Sequence, residues 1–196
     1  PTGDLPGAIE EGERVTQMLA RLPGTGITTI RGGAATRARL RAEFRSGDYD
    51  AIHFAGHAFF DTAAPASSGI LCAGGRVLSG ADLAAMDSVP ALVFFNACES
   101  GRLRSAVNPL RQLDRSVGFA EAFLRGGVAN FIGTWWPVSD AGATAFATPL
   151  YRGLAKGASI GTALNAARSA VLALPSADWA NYLHYGSFDF ALKASR

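Results

Sequence analysis

The sequence predicts an α/β sandwich in which helices flank a mainly parallel central sheet. Three observations carry this. Apolar runs of strand length alternate with amphipathic stretches of helix length. One run, Ala91–Ala97, is apolar almost throughout, as in strands buried on both faces of a parallel sheet. The 23 glycines fall singly or in pairs where apolar runs end, which is turn punctuation.

The elements read in order as follows. A first helix spans Ala8–Leu22, with Ile9, Val15, Leu19 and Leu22 on one side. Strand-like runs follow at Ile27–Ile30 and Ala51–Ala55, separated by a helix that Thr36 caps and that ends near Ser46. Ile70–Cys72 and Arg76–Leu78 form a small hairpin through Ala73, Gly74 and Gly75. Ser79 caps a short helix through Met86. After Ala91–Ala97 comes a polar loop from Glu99 to Arg115, then a helix (Val117–Arg125) and a strand (Val128–Thr134). Two helices, Asp140–Leu154 and Ser159–Leu174, precede a helical turn at Asp178–Leu183 and a final strand, Gly186–Phe190. With neither internal repeat nor linker, the 196 residues read as one domain.

Composition narrows the function classes. Hydrophobic residues make up 48% and charged residues 17%, which suits a sizeable core and argues against disorder. The net charge is +2, but Arg31, Arg37, Arg39, Arg41 and Arg45 cluster around a single acid, Glu43. Leu40 and Phe44 turn one side of that stretch inward and no aromatic residues interleave for base stacking, so it reads as a solvated face and not a nucleic-acid contact. No secretory segment opens the chain, and no apolar run reaches the roughly 18 residues that span a membrane. The expectation is a soluble, cytoplasmic domain, with Cys72 and Cys98 chemical or buried and not bridged.

Two segments put a reactive side chain just where an apolar strand ends: Asp50-Ala-Ile-His-Phe-Ala-Gly-His57-Ala-Phe-Phe-Asp61 and Val93-Phe-Phe-Asn-Ala-Cys98-Glu-Ser-Gly101. In open α/β sheets ligands bind beyond the carboxyl ends of the strands, so neighbouring strands would bring His57 and Cys98 together there. A thiol of pKa about 8.5 is mostly protonated at pH 7, whereas the thiolate is the nucleophile. An imidazole can stabilise that thiolate or take its proton, and can then protonate the departing amine. Gly56 keeps the backbone beside His57 free of side-chain bulk. The backbone N–H groups of Ala58 and Cys98 are the candidate donors to an oxyanion.

These residues belong to an ordered set of segments that resembles the CHAT domain family, related to caspases and separases among the caspase-like cysteine peptidases. The segments are Leu5-Pro-Gly-Ala-Ile-Glu-Glu11, His53-Phe-Ala-Gly-His57, Ser68-Gly-Ile-Leu71, Ala97-Cys-Glu-Ser-Gly101, Gly118-Phe-Ala-Glu-Ala-Phe123, Gly126-Gly-Val128, Trp135-Trp-Pro-Val-Ser-Asp140 and Trp179-Ala180. The resemblance implies a caspase-like three-layer sandwich and a cysteine endopeptidase, with Cys98 as nucleophile, His57 as general base and acid, and the Ala58 and Cys98 amides as oxyanion hole. It also implies a protein substrate and regulatory sensor or repeat domains outside this sequence, in signalling or defence. The residue after the histidine is often glycine in the family; alanine serves there if its φ is negative. The family begins with a core strand before the Leu-Pro-Gly-Ala segment, and the sequence opens at Pro1 without one. Either that strand lies outside the sequence or another segment supplies it.

The remaining candidates are weighed on the same terms. On a strand, His53 and His57 lie on one face about 13 Å apart, too far to share a metal, so neither a metal nor a cofactor is expected. His53 is read as a hydrogen-bonded core or support residue, and Cys72 as structural. Glu99 either lines the substrate cleft or caps a turn. Asp140 either caps the following helix or, as an anion near the cleft, favours lysine or arginine before the scissile bond. Trp136 and Trp135 are candidate apolar walls. The long stretch Gly101–Ser116 is read as a gate over the site. The alternatives are a catalytically silent interaction module and an esterase or acyltransferase using the same dyad.

Overall fold

The computed structural model describes residues 5–59, 61, 63–86, 88–98, 120–135 and 138–192. The Gly101–Ser116 loop and residues Glu99 and Trp136 lie outside the described residues. The chain divides into two compact units: Ile30–Pro137 with Leu183–Gly186, and Leu5–Thr29 with Val138–Tyr182 and the stretch from Ser187.

The first unit holds a six-stranded mixed sheet. Its strands are β1 (Ala51–Phe59), β2 (Gly69–Leu71), β3 (Val77–Ser79), β4 (Leu92–Cys98), β5 (Asn130–Thr134) and β6 (Tyr182–Tyr185), in the order β3-β2-β1-β4-β5-β6. The central strands β1, β4 and β5 run parallel, while β2 and β3 add an antiparallel hairpin beside β1. The hairpin turns on Gly74 and Gly75, both at positive φ, where glycine carries no steric cost. On the side away from β4, the pairing of β2 reaches only Ala58 and Phe59 of β1.

One face of the sheet packs an aromatic core. Phe54 stacks on Phe95 (5.1 Å between centroids), and Phe95, Phe123 and Phe131 form a triangle with separations of 5.2–5.9 Å. Phe44 and Leu40 come from helix α2 (Arg37–Arg45), Leu83 from α3 (Gly80–Ala84), and Phe123 from α4, helical over the described residues 120–125. Thr36 caps α2 by accepting the Arg39 N–H, as the sequence suggests. The basic character of α2 is partly neutralised: Arg39 pairs with Glu43 at 2.5 Å, and Arg37 pairs with Asp82.

Asp82 closes a capping box at α3. Its carboxylate accepts the Ser79 N–H (3.0 Å) and Arg37 Nε–H (3.2 Å), while Ser79 Oγ accepts the Asp82 N–H (3.3 Å). Burial alone would raise this carboxyl, but the Ser79 amide and the Arg37 guanidinium outweigh burial and hold it below the usual value. Its stabilising effect is therefore complete above the unfolded-chain pKa of about 3.9. It is lost as pH falls through the lower folded value. Asp82→Asn is expected to flatten the acid limb of the melting temperature below about pH 4. Equal slopes for variant and wild type would refute the assignment.

The second unit is helical. It comprises α1 (Pro6–Leu19), α5 (Asp140–Ala155), α6 (Ile160–Leu172) and a short 3₁₀ turn, Asp178–Ala180. Phe146, Ala147, Leu150 and Leu154 of α5 are buried, as are Ile160, Ala163, Leu164 and Ala167 of α6. Phe146 stacks on Tyr182 with centroids 3.5 Å apart. Pro6 opens α1, where its fixed φ and missing N–H are tolerated. Ser159 caps α6 by accepting the Thr162 N–H.

Two sequence expectations are overturned. Ile27–Ile30 is not a strand, and Ile27 is exposed. Its β-branched residues favour an extended chain, but a strand also needs a neighbour's N–H and C=O groups. The last strand is Tyr182–Tyr185 and not Gly186–Phe190. Gly186, at φ +137°, turns the chain away. The carbonyls of Phe188 and Phe190 then accept the N–H groups of Gly161 and Ile160. The tail's backbone thus satisfies orphan donors at the start of α6 instead of extending the sheet.

Candidate active site

The parallel ladder between β1 and β4 sets the site. It pairs Ala51 with Leu92 and runs in register through Gly56–Ala97 to His57–Cys98. Neighbouring strands lie about 4.8 Å apart, and residues in register share a face of the pleat. His57 and Cys98 are therefore direct neighbours across adjacent strands. Cys98 is the last residue of β4, whereas β1 continues two residues past His57 to Phe59. The sequence predicts a strand ending at Ala55; pairing with β4 carries it on to His57, and pairing of Ala58 and Phe59 with β2 extends it to Phe59.

The packing beneath this pair fixes the strands. Ile52, Phe54, Val93, Phe95 and Phe131 belong to the aromatic core on one face. The alternate residues His53, Phe94 and Asn96 share the face of His57 and Cys98. His53 stacks on Phe94 at 4.9 Å with an interplanar angle of 21°, which is a packing role of the expected kind. His57 is 5% exposed and its Nδ1 is out of solvent. Asn96, also 5% exposed, lies two residues before Cys98 on that face.

Ala58 lies in extended β1, and no described non-glycine residue has a positive φ. Alanine after the histidine is thus unstrained. Cys72 is buried and unbridged, and its Sγ–H lies 3.5 Å from the Ile70 carbonyl. Burial pushes its thiol up, against smaller opposing effects of the Leu78 backbone and Arg37. That is the environment of an inert structural cysteine. Among the described residues, no group of three histidine, cysteine, aspartate or glutamate side chains is placed to hold a metal. No described helix is long and apolar enough to cross a membrane.

Asp140 is exposed and starts α5, but the cap is Ser139, whose Oγ accepts the Gly142 N–H at 3.1 Å. The capping alternative for Asp140 is corrected accordingly. Its carboxyl lies against Gly7 in the first turn of α1, where any side chain would collide with it. The negative charge suits the positive end of that helix. The glycine of the Leu5-Pro-Gly-Ala segment is thereby explained. Sequence reasoning missed a second carboxylate: Asp178, buried, accepts the Ser139 hydroxyl at 2.6 Å. Its only sequence signal is its place before Trp179-Ala180. His184, which has no motif partner in sequence, lies 3.2 Å from Asn130 Oδ1 through its Nε2.

Comparison with known families places these features. No curated protein matches the chain closely enough to count as a relative. The CHAT domain family matches residues 1–187, across both compact units, so the His57–Cys98 register and the glycines and caps around it sit within that match. The chain belongs to the CHAT domain family of caspase-like cysteine peptidases.

Proposed function

We propose that this chain is a cysteine endopeptidase acting on a specific protein substrate through Cys98 and His57. The observation that carries the proposal is the in-register pairing of His57 with Cys98 at the end of the parallel β1–β4 ladder, where β4 stops. In this reading the Cys98 thiolate attacks the scissile carbonyl carbon. The Ala58 and Cys98 backbone N–H groups donate to the resulting oxyanion. His57 takes the thiol proton and delivers it to the departing amine, then draws a proton from the water that hydrolyses the acyl-enzyme.

The finer features belong to the same proposal. Asp140 supplies negative charge that favours lysine or arginine before the scissile bond, Trp136 walls the cleft, Glu99 borders it, and Gly101–Ser116 gates it. The two compact units act as one peptidase domain, the effector of a larger signalling or defence protein working in the cytoplasm under sensor or repeat domains outside this sequence.

The deciding experiment digests a peptide library with the wild type and with Cys98→Ala. Cleavage by the wild type alone establishes the class, and the cut sites reveal whether a basic residue precedes the bond. Cleavage that survives in Cys98→Ala refutes the assignment, and none by either chain favours a silent interaction module.

A further inference from the structure

The face of β1 that carries His57 changes character within one strand period. Along it the pleat places His53, Ala55, His57 and Phe59 together, and register adds Phe94, Asn96 and Cys98 from β4. Phe94, Asn96 and His57 are buried, yet Phe59, the next residue on that face, is 43% exposed. The covered face opens at Phe59. Its cross-strand partner is Gly69, which has no side chain to lay over the ring.

The backbone that presents this ring is held on both sides. Phe59 pairs with Gly69 in the β1–β2 ladder. Two residues on, the Asp61 N–H donates to Ser68 Oγ at 3.0 Å, and Asp61 Oδ1 accepts the N–H groups of Ala63 (2.9 Å) and Ala64 (3.1 Å). Ser68 is fully buried, and its carbonyl accepts the Gly80 N–H at 3.0 Å. The exposed aromatic therefore rides on a braced strand end, the support that a recognition surface needs.

We propose that Phe59 is a specificity-determining residue whose ring receives an aromatic or large aliphatic side chain of the peptide substrate. Two strand residues span about 7 Å, the reach in an extended peptide from a scissile carbonyl to a side chain one or two positions away. Aromatic rings supply apolar contact with preferred offset or edge-to-face geometry. The inference rests on the peptidase reading for the location of the scissile bond, but its test does not need turnover.

The full chain carrying Cys98→Ala is used to capture peptides from an immobilised random library, with Cys98→Ala/Phe59→Ser and Cys98→Ala/Phe59→Trp alongside. Capture by Cys98→Ala should enrich aromatic, leucine, isoleucine or methionine residues at one position. Phe59→Ser should weaken capture of those peptides on the order of tenfold at an unchanged melting temperature, and Phe59→Trp should retain it. Equal capture by the serine variant, enrichment without apolar preference, or no capture at all would overturn the proposal. The captured peptides are then offered to the chain with Cys98 intact. Binding without cleavage would remove the peptidase reading and leave the Phe59 surface standing.

Discussion

Replacing His57 with alanine is expected to slow peptide cleavage roughly a hundredfold to ten-thousandfold, the usual range for a positioned acid–base group. The same change should slow iodoacetamide labelling of Cys98 at pH 7 by about ten- to thirtyfold, since an unassisted thiol is only about 3% ionised there. Labelling needs no substrate, so it probes the pairing directly. Cys72 is an internal control: it is buried with its thiol pushed up, and should stay unlabelled until the chain unfolds. His57 is 5% exposed, so alanine also leaves a cavity, and the melting temperature must be followed beside the rates. His57→Gln fills most of that space without supplying a base, and should match alanine in rate but not in stability loss. Labelling of Cys98 as fast in both variants as in the wild type would sink the dyad.

How legible this was in the sequence depends on the range of each interaction. Caps were readable because a cap is a local event: Thr36 and Ser79 each accept an N–H from three residues ahead. The aromatic and β-branched runs at Ala51–Ala55 and Ala91–Ala97 also announced themselves as strands. Register did not, because it depends on which strands become neighbours. The motif order made the His57–Cys98 pairing plausible, and only the β1–β4 ladder makes them register partners. Ile27–Ile30 shows the opposite case, strand composition without a ladder. The glycines were legible as turns, but the sequence did not disclose that Gly7 makes room for Asp140, 133 positions away. Carboxylates were the hardest to place, since a helix N-terminus and a substrate cation attract them equally well.

Asp178→Ala should clearly destabilise the helical unit. The Asp178 carboxylate accepts the Ser139 hydroxyl at 2.6 Å and lies 3.4 Å from the Ser139 N–H, while Ser139 Oγ accepts the Gly142 N–H. The charge thus stands directly behind the cap of α5, where the helix dipole favours an anion. Gly142 leaves the space, since a Cβ there would meet an Asp178 oxygen. Losing a buried hydrogen bond to a charged group and the dipole interaction should cost about 2–4 kcal/mol. For a chain of this size that lowers the melting temperature by roughly 5–15 °C. Asp178→Asn keeps an acceptor for Ser139 and should lose less than half as much, whereas alanine at exposed Asp189 should change stability by no more than about 0.5 kcal/mol. If Asp178→Ala instead melted like the wild type and shifted cleavage-site preference, this carboxylate would belong to substrate recognition. A cap and a specificity pocket make opposite demands on it: the cap needs the charge shielded behind Ser139, and the pocket needs it open to an incoming cation.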